Sequence, residues 1–283
     1  MKRFSELLDQ ALAKREPVAL CTVVSTSGST PMKSGAKMLV WENGKSTGTI
    51  GGGAVEKKVT GDAIRQLKEG VSKLNEYPLL KENMCCGGTM RLFIEPLKPQ
   101  NQLFIFGAGH IGSHLAYYAG KLDFKTLVID ERPEMLDTIH GAETEKIFLP
   151  HHEALTKLIF DKYTYIVICT HLHAYDREIL AACLRKPHAY LGMIGSKRKV
   201  LVTRKMFLDQ NIATEAELEK TDMPLGFNIG QNSPAEIALG ILAKIVAVSN
   251  GKNLVEIVLQ NNTSPEEELL PDECIQKPIV HGE

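Results

Sequence analysis

The stretch Gln102-Leu-Phe-Ile-Phe-Gly-Ala-Gly-His-Ile-Gly112 carries most of the information on how the second half of this chain folds. Its first part is a short apolar run, typical of a strand buried in a parallel sheet. Gly107, Gly109 and Gly112 follow with G-x-G-x-x-G spacing, and a helix is predicted to begin at the second of them. Asp130 ends the next predicted strand, 18 residues after Gly112. Together these features predict a Rossmann-type dinucleotide-binding turn.

The three glycines have separate roles, since Gly107 permits the tight turn, Gly109 lets the backbone approach a pyrophosphate, and Gly112 lets the helix pack against the sheet. The helix amino terminus adds free N–H groups and a partial positive charge. Asp130 is expected to accept a hydrogen bond from a ribose 2′-hydroxyl and to repel a 2′-phosphate. A Rossmann unit that has lost its nucleotide is the alternative. The predicted cofactor contacts are Gly107, Gly109, His110, Ile111, Gly112 and Asp130.

The residues after this motif alternate between apolar runs and helical patterns. Strands are predicted at 126–130, 165–170 and 189–193, and helices at 109–121, 152–160, 176–184, 197–208 and from Ser233-Pro234 onward. This alternation predicts an α/β fold with a doubly wound parallel sheet. We assign it to a Rossmann-like domain over 99–260. The remainder, 261–283, is polar and interrupted by proline, so we predict a flexible tail.

The first part of the chain has a different, mixed pattern. Helices are predicted at 4–14 and 54–67, and strands at 18–24, 37–41, 46–50 and 89–95. Asn43-Gly44 between two apolar runs is a strong hairpin signal. Pro96 and Pro99 mark a linker, so we predict a small N-terminal α+β domain over 1–98.

The composition limits the classes of function. The 283 residues include 33 Lys and Arg against 34 Asp and Glu, so the chain lacks the basic excess of proteins that bind nucleic acid or anionic membranes. The sequence shows neither a signal peptide nor an apolar segment of about 20 residues, and a cytoplasmic protein is predicted. Its six cysteines are then expected to be thiols. Because they lack C-x-x-C spacing, no metal site is predicted.

A second motif, Thr170-His-Leu-His173 with Asp176, follows a predicted strand. Ligands of open α/β sheets bind beyond the carboxyl ends of the strands, so Thr170, His171 and His173 are candidate cofactor contacts. His171 is also a candidate catalytic residue. We interpret Asp176 as the cap of a helix that begins one residue later. Two histidines with one carboxylate are too few to indicate a zinc site.

Two glycine-rich segments of the first domain could also carry chemistry. The backbone of Gly48-Thr-Ile-Gly-Gly-Gly53 can approach an anion closely. Glu56 lies in the first turn of the following predicted helix, where a carboxylate is stabilised by the helix dipole. A tight turn with a capping glutamate explains the same residues without a ligand. Met84-Cys-Cys-Gly-Gly88 sets two thiols beside two glycines, and a packing role is the alternative to a reactive thiolate. Cys86 is the candidate catalytic thiol. The candidate cofactor contacts are Gly51, Gly52, Gly53, Glu56, Cys85 and Cys86.

Taken in order, these segments resemble the XdhC/CoxI family, the accessory proteins of molybdenum-containing hydroxylases such as xanthine dehydrogenase. The matching segments are Gly28-Ser-Thr-Pro31, Gly48-Thr-Ile-Gly-Gly-Gly53 with Glu56, Cys85-Cys-Gly-Gly88, Phe106-Gly-Ala-Gly-His-Ile-Gly112, Thr170-His-Leu-His173 with Asp176, Gly192-Met-Ile-Gly-Ser196 and Pro224-Leu-Gly-Phe-Asn-Ile-Gly230. They stand in the family order from about residue 5 to residue 248. The resemblance adds Gly195 and Ser196 to the candidate cofactor contacts.

The resemblance implies a small N-terminal domain, a Rossmann domain, and binding of the molybdenum cofactor (molybdopterin). Such a protein protects the cofactor while a cysteine desulfurase helps to provide its terminal sulfur. It then delivers the cofactor to an apo xanthine dehydrogenase-type hydroxylase. The CoxI branch carries Cys where Gly53 stands, so the resemblance points to the XdhC branch. It implies a cofactor chaperone without turnover of its own, and we expect a homo-oligomer.

Two other functions fit the same residues. An NAD-dependent oxidoreductase, or a xanthine dehydrogenase subunit, would use the Rossmann domain to hold a nicotinamide cofactor. Asp130 favours this alternative, whereas the sequence contains no clear Ser-Tyr-Lys or other hydride-transfer set, which disfavours it. A structural, interface-forming subunit with a relic nucleotide fold is the third possibility.

Overall fold

The computed structural model of this protein describes residues 4–82, 87–140, 144–230 and 233–252. The chain divides into two compact units, residues 1–100 and residues 101–283, with the break close to the boundary predicted at 98/99. The predicted tail, 261–283, lies outside the described residues, and so do Cys85 and Cys86.

The first unit is an antiparallel sheet with helices on both faces. Its elements are α1 (Phe4–Ala13), β1 (Val18–Ser27), β2 (Lys37–Trp41), β3 (Ser46–Gly48), α2 (Gly53–Glu69), β4 (Lys73–Pro78), a 3₁₀ turn (Leu79–Glu82) and β5 (Thr89–Leu97). The described strands lie in the order β3-β2-β1-β5-β4. Gly44 takes a positive φ of 83° in the turn between β2 and β3, which confirms the hairpin predicted from Asn43-Gly44.

The core of this unit lies between the sheet and α2. The buried stripe of α2 repeats at every fourth residue, which keeps apolar side chains on one face of a helix: Val55, Val59, Ala63 and Leu67. It packs on alternate residues of the strands, including Cys21, Val23, Met38, Leu92 and Ile94. The opposite face of the sheet packs against α1 through Ala11, Val18 and Leu39. The first unit is therefore α+β, as predicted.

The second unit is a parallel sheet with helices on both sides. Its elements are β6 (Asn101–Phe106), α3 (His110–Ala119), β7 (Phe124–Asp130), α4 (Pro133–Asp137), β8 (Thr144–Phe148), α5 (His151–Lys157), β9 (Thr164–Ile168), α6 (His173–Cys183), β10 (Tyr190–Met193), α7 (Lys197–Asp209), α8 (Glu215–Glu219) and α9 (Pro234–Ser249). The described strands lie in the order β10-β9-β6-β7-β8 and pair in parallel. The doubly wound parallel sheet is confirmed. Its strand order reverses at β6, where open α/β sheets bind ligands.

Alternate residues of the central strands fill two separate cores. Leu103 and Ile105 point into the core that holds α3 and α9, and Phe104 and Phe106 point into the core on the other face. Helix α9 begins at the predicted Ser233-Pro234 with a capping box, in which the Ser233 hydroxyl accepts from the Glu236 N–H at 3.3 Å. Among the described residues, no helix is both long enough and apolar enough to span a bilayer.

Candidate functional site

An open cleft of about 580 Å³ lies at the carboxyl ends of the central strands of the second unit. It brings together candidate residues that lie up to 87 positions apart in the chain. The predicted site residues that line it are Gly109, His110, Ile111, Thr170, His171, His173, Gly195 and Ser196. Gly107 lines a small neighbouring hollow, and so does Asp130. The cleft thus unites the glycine turn, the Thr-His-Leu-His motif and the Gly-Ser pair on one surface.

The three glycines of the turn differ in what they contribute. Gly107 has a φ of +112°, and a Cβ there would lie 2.4 Å from the Cys169 carbonyl oxygen. At Gly112 a Cβ would lie 1.9 Å from the Gly107 carbonyl oxygen. Both positions therefore require glycine for the fold itself. Gly109 has a φ of −66°, and a Cβ there would meet no described atom within 4 Å. The fold therefore does not require glycine at this position, and the missing side chain leaves space in the cleft.

Asp130 is buried under Arg132 at the end of β7. Its Oδ2 accepts from the Ala108 N–H and from Arg132 Nη2, both at 2.8 Å, and its Oδ1 accepts from the backbone N–H and the Nε of Arg132. Burial raises the pKa of this carboxyl, but the bonds from Arg132 and Ala108 outweigh burial and lower the pKa. The carboxylate thus ties β7 to the glycine turn and holds a guanidinium at the cleft.

The Thr-His-Leu-His motif directly precedes α6, which begins at the last residue of the motif, His173. The prediction that Asp176 caps a helix beginning one residue later is wrong, because the helix starts three residues before Asp176. Asp176 instead reaches back to Thr170, accepting from its N–H at 3.0 Å and from its hydroxyl at 2.7 Å. The error arose because an aspartate followed by an apolar run is typical of a cap, although the same side chain can close the loop before a helix.

His173 is held at both ring nitrogens. Its Nδ1 lies 3.3 Å from Oδ2 of Asp176, and its Nε2 lies 3.4 Å from the hydroxyl of the buried Thr203. This arrangement orients the ring and occupies the atoms that would bind a metal. In the described ranges, no group of three or more His, Cys, Asp or Glu side chains is arranged to hold a metal ion. The exposed His171 instead packs its ring edge against Tyr175, with centroids 5.6 Å apart.

The cleft favours anions for two reasons. Helices α3, α6, α7 and α9 all contribute residues of their first turns to its lining, so several positive helix ends face it. Arg132 and Lys199 line it as well, and sequence reasoning missed both. A signal was available, since Lys197-Arg-Lys199 opens α7 with consecutive basic residues and no acidic residue in the first turn. Basic side chains at that end oppose the helix dipole, which makes a compensating anion favourable.

The cysteines of the described residues are structural. Cys21, Cys169 and Cys183 are buried free thiols. Burial raises the pKa of Cys21 and of Cys183 to about 12, and burial with the nearby Asp176 and Asp130 charges raises that of Cys169 as well. None of these three is a thiolate at neutral pH. The other three cysteines lie outside the described residues: the predicted pair Cys85 and Cys86, and Cys274.

The glycine-rich loops of the first unit meet at one edge of its sheet. The Gly88 N–H donates to the Ser29 carbonyl at 3.0 Å, and a Cβ on Gly28 would lie 3.1 Å from the Gly88 Cα. A Cβ on Gly51 would lie 2.4 Å from Pro31. Three segments that are distant in the sequence therefore adjoin here. Gly52 and Gly53, with positive φ, have open space where a Cβ would point.

Glu56 organises the Gly48-to-Gly53 loop. Its Oε1 accepts from the Thr49 hydroxyl at 2.6 Å, the Gly52 N–H at 2.9 Å and the Ile50 N–H at 3.1 Å. Burial raises the pKa of this carboxyl, but these hydrogen bonds outweigh burial and lower the pKa. The side chain thus positions the loop.

Glu56→Ala should lower the free energy of unfolding of the first unit by about 2 kcal/mol near neutral pH, because three donors lose a charged acceptor. The stability that Glu56 contributes is complete above the ordinary glutamate pKa and is lost as pH falls through the lowered folded-state pKa. Urea unfolding at about pH 7 and about pH 3, followed by the fluorescence of the single tryptophan, Trp41, measures both effects. Glu56→Gln keeps an acceptor without charge, so its free energy of unfolding at about pH 7 should lie between those of the wild type and Glu56→Ala. An equal loss at both pH values would contradict this role.

Comparison with known proteins identifies the family. Residues 103–245 match the family model of the XdhC Rossmann domain, and residues 11–78 match the model of the XdhC and CoxI family. This chain belongs to the XdhC and CoxI family. The family predicted from the sequence is confirmed, and the cleft lies within the matched Rossmann domain.

Relatives of this XdhC and CoxI family member include two curated proteins. The uncharacterized protein YqeB of Escherichia coli K12 is 33% identical over 83% of this chain, and the match spans 44% of YqeB, less than half its length. A probable xanthine dehydrogenase subunit of Bacillus subtilis 168 is 22% identical over 87% of this chain and 97% of that protein. A crystal structure of a xanthine dehydrogenase from Bacillus halodurans aligns with 92% of this chain, and the alignment covers 97% of the Bacillus halodurans chain, with 22% identity and a TM-score of 0.48.

Proposed function

We propose that this protein is an accessory protein of a xanthine dehydrogenase-type molybdenum hydroxylase, acting in the cytoplasm as a homo-oligomer. It binds the molybdenum cofactor, protects it while a cysteine desulfurase provides the terminal sulfur, and delivers it to the apo-hydroxylase. Membership of the XdhC and CoxI family supports this role, and so does the similarity to a protein named as a probable xanthine dehydrogenase subunit. The protein itself carries out no turnover in this proposal.

The cleft of the second unit, with its helix amino termini and two basic side chains, is the observation that carries the proposal. Molybdopterin bears a phosphate, and the open position at Gly109 leaves room for one against the amino terminus of α3. Lys199 and Arg132 supply positive charge on the same surface. A volume of about 580 Å³ lies within the range of small-molecule sites. The molybdenum ligands would come mainly from the pterin dithiolene, so the cleft itself needs to hold the phosphate and the pterin.

The test is to purify the protein after expression with molybdate and to measure bound molybdenum, pterin and nicotinamide by mass spectrometry. Molybdopterin at near-stoichiometric occupancy supports the accessory role. The Rossmann turn and Asp130 favour a second candidate, an NAD-dependent oxidoreductase or one of the subunits of a xanthine dehydrogenase. NAD⁺ bound without pterin would support that candidate and contradict the accessory role.

Cys86→Ser should leave the fold and the binding of the hydroxylase unchanged but reduce retention of the sulfurated cofactor, and with it activation of the apo-hydroxylase. The reason is that a thiolate can approach molybdenum or its sulfur, whereas a hydroxyl binds both poorly. The measurement is hydroxylase activity reconstituted with each variant at matched concentration. Cys85→Ser is the matched control and should have the smaller effect. Full activation by Cys86→Ser would make this cysteine a packing residue.

A further inference from the structure

At the end of β7, the Arg132 guanidinium faces the cleft and the Asp130 carboxylate lies behind it. The Asp130 side chain is 4% exposed and both its oxygens accept hydrogen bonds, whereas the Arg132 side chain is 26% exposed and lines the cleft. In nucleotide-binding Rossmann folds this position meets the 2′ position of the adenosine ribose. Of these two side chains, only Arg132 has hydrogen-bonding positions left for a ligand placed there.

Four hydrogen bonds fill the acceptor positions of Asp130, three of them from Arg132, so a ribose hydroxyl could bond to this carboxylate only by displacing one of these donors, chiefly Arg132. That exchange would leave a buried carboxylate without its ion-pair partner in return for a neutral donor, which is strongly unfavourable. Arg132 donates one bond from Nε and one from Nη2 to Asp130, and a guanidinium has five N–H donors, so three remain for another acceptor. A phosphate matches this planar array of donors better than a hydroxyl does.

The surrounding charges make direct contact with Arg132 essential. Its hydrogen bond to Asp130, together with the Glu134 and Glu131 charges, raises the pKa of Arg132, so the guanidinium stays charged. The same carboxylates repel an anion that approaches without bonding to the guanidinium. Selection at this position therefore depends on bonds to one side chain, and removal of that side chain should abolish it.

We propose that the cleft binds dinucleotides that carry a 2′-phosphate, and that Arg132 is the residue that selects them over their unphosphorylated counterparts. The pyrophosphate would lie at the Gly109 turn and the 2′-phosphate at Arg132. This reverses the preference expected from Asp130 in the sequence alone. The inference goes beyond the proposed function, since it gives the cleft a second ligand, and a bound dinucleotide and a molybdopterin phosphate would compete for the Gly109 turn.

The experiment is titration calorimetry of the full chain with NADP⁺ and with NAD⁺, which differ by the 2′-phosphate alone. We expect NADP⁺ to bind at least about tenfold more tightly, as for charge-assisted hydrogen bonds. Arg132→Met should remove that preference while changing NAD⁺ affinity by less than about threefold. Arg185→Met is the matched control, because Arg185 also pairs with a carboxylate, that of Glu217, but does not line the cleft.

Arg132→Met leaves the buried Asp130 unpaired and could impair folding, so the double variant Asp130→Asn with Arg132→Met is tested beside it. Asparagine keeps an acceptor for the Ala108 N–H without a charge. This variant should also bind both dinucleotides equally. Equal affinity of the wild-type protein for NADP⁺ and NAD⁺, or a preference for NADP⁺ that survives in the double variant, would overturn the proposal.

A phosphate ester on Arg132 could also come from a pterin phosphate, and dihydroneopterin phosphate serves as the probe for that source. Binding of this compound that depends on Arg132, with no binding of NADP⁺, would overturn the nucleotide assignment. The molybdenum and pterin content of the purified protein is a separate measurement. A failure of the nucleotide proposal and a failure of the accessory role can therefore be told apart.

Discussion

Gly112→Ala is expected to lower the free energy of unfolding by about 3 kcal/mol, although alanine normally stabilises a helix. The added Cβ would lie 1.9 Å from the Gly107 carbonyl oxygen and 3.0 Å from its carbonyl carbon. Both are backbone atoms of the turn, so no side-chain rotation relieves the clash. Either α3 moves away from the sheet or the turn opens, and both changes disturb the core that Ile105 forms with α3.

Urea unfolding followed by far-ultraviolet circular dichroism measures this effect. Gly61→Ala is the matched control, because Gly61 lies inside α2 and a Cβ there meets no described atom within 4 Å. That substitution should stabilise the protein by about 0.5–1 kcal/mol, the ordinary gain for alanine over glycine in a helix. A Gly112→Ala protein as stable as the wild type would contradict the close approach of helix and turn.

Gly109→Val should abolish ligand binding in the cleft, with a loss of affinity of about 100-fold or more, while the protein stays folded. Gly109 has a φ of −66° and a ψ of −172°, an extended conformation that valine adopts readily. Its side chain would occupy the open space where a phosphate approaches the N–H groups of α3. The loss of glycine at the cap should cost only about 1 kcal/mol of stability.

The measurements are NADP⁺ affinity and the molybdenum and pterin that the purified protein retains. Thermal unfolding of the variant checks that the fold persists. Gly109→Ala should give an intermediate loss, because its single methyl group fills less of the space. Unchanged binding and retention in Gly109→Val would show that the turn holds no phosphate.

Regular elements with a buried face could be predicted from the sequence. Strand β6 follows its uninterrupted apolar run, helix α2 follows its apolar periodicity, and the capping box of α9 is a local pattern of four residues. Strands β4 and β8 were missed because they lie at sheet edges and are largely exposed, so their sequences lack a strong apolar alternation. The short α4 and α8 have too few residues to show a period.

The candidate site could be predicted in its location but not in its details. Gly109, Thr170 and Ser196 each follow a strand, and parallel strands bring their carboxyl ends to the same edge of a sheet. The partner of Asp176, Thr170, was missed because an aspartate near a helix start can bond either to the first turn of the helix or to the loop before it. The sequence alone does not distinguish these two arrangements. Arg132 was missed because the fingerprint draws attention to the acidic residue alone.

The sequence by itself determined the α+β first unit, the doubly wound second unit and the family, because these follow from local periodicity, turn chemistry and the order of short motifs. Only the tertiary structure decided which residues of the motifs serve the fold and which face a ligand. Gly112 meets the Gly107 carbonyl while Gly109 meets open space, and Arg132 covers Asp130. The physical reason is that such roles depend on the atoms opposite each residue, and those atoms come into place only when the strands and helices have packed.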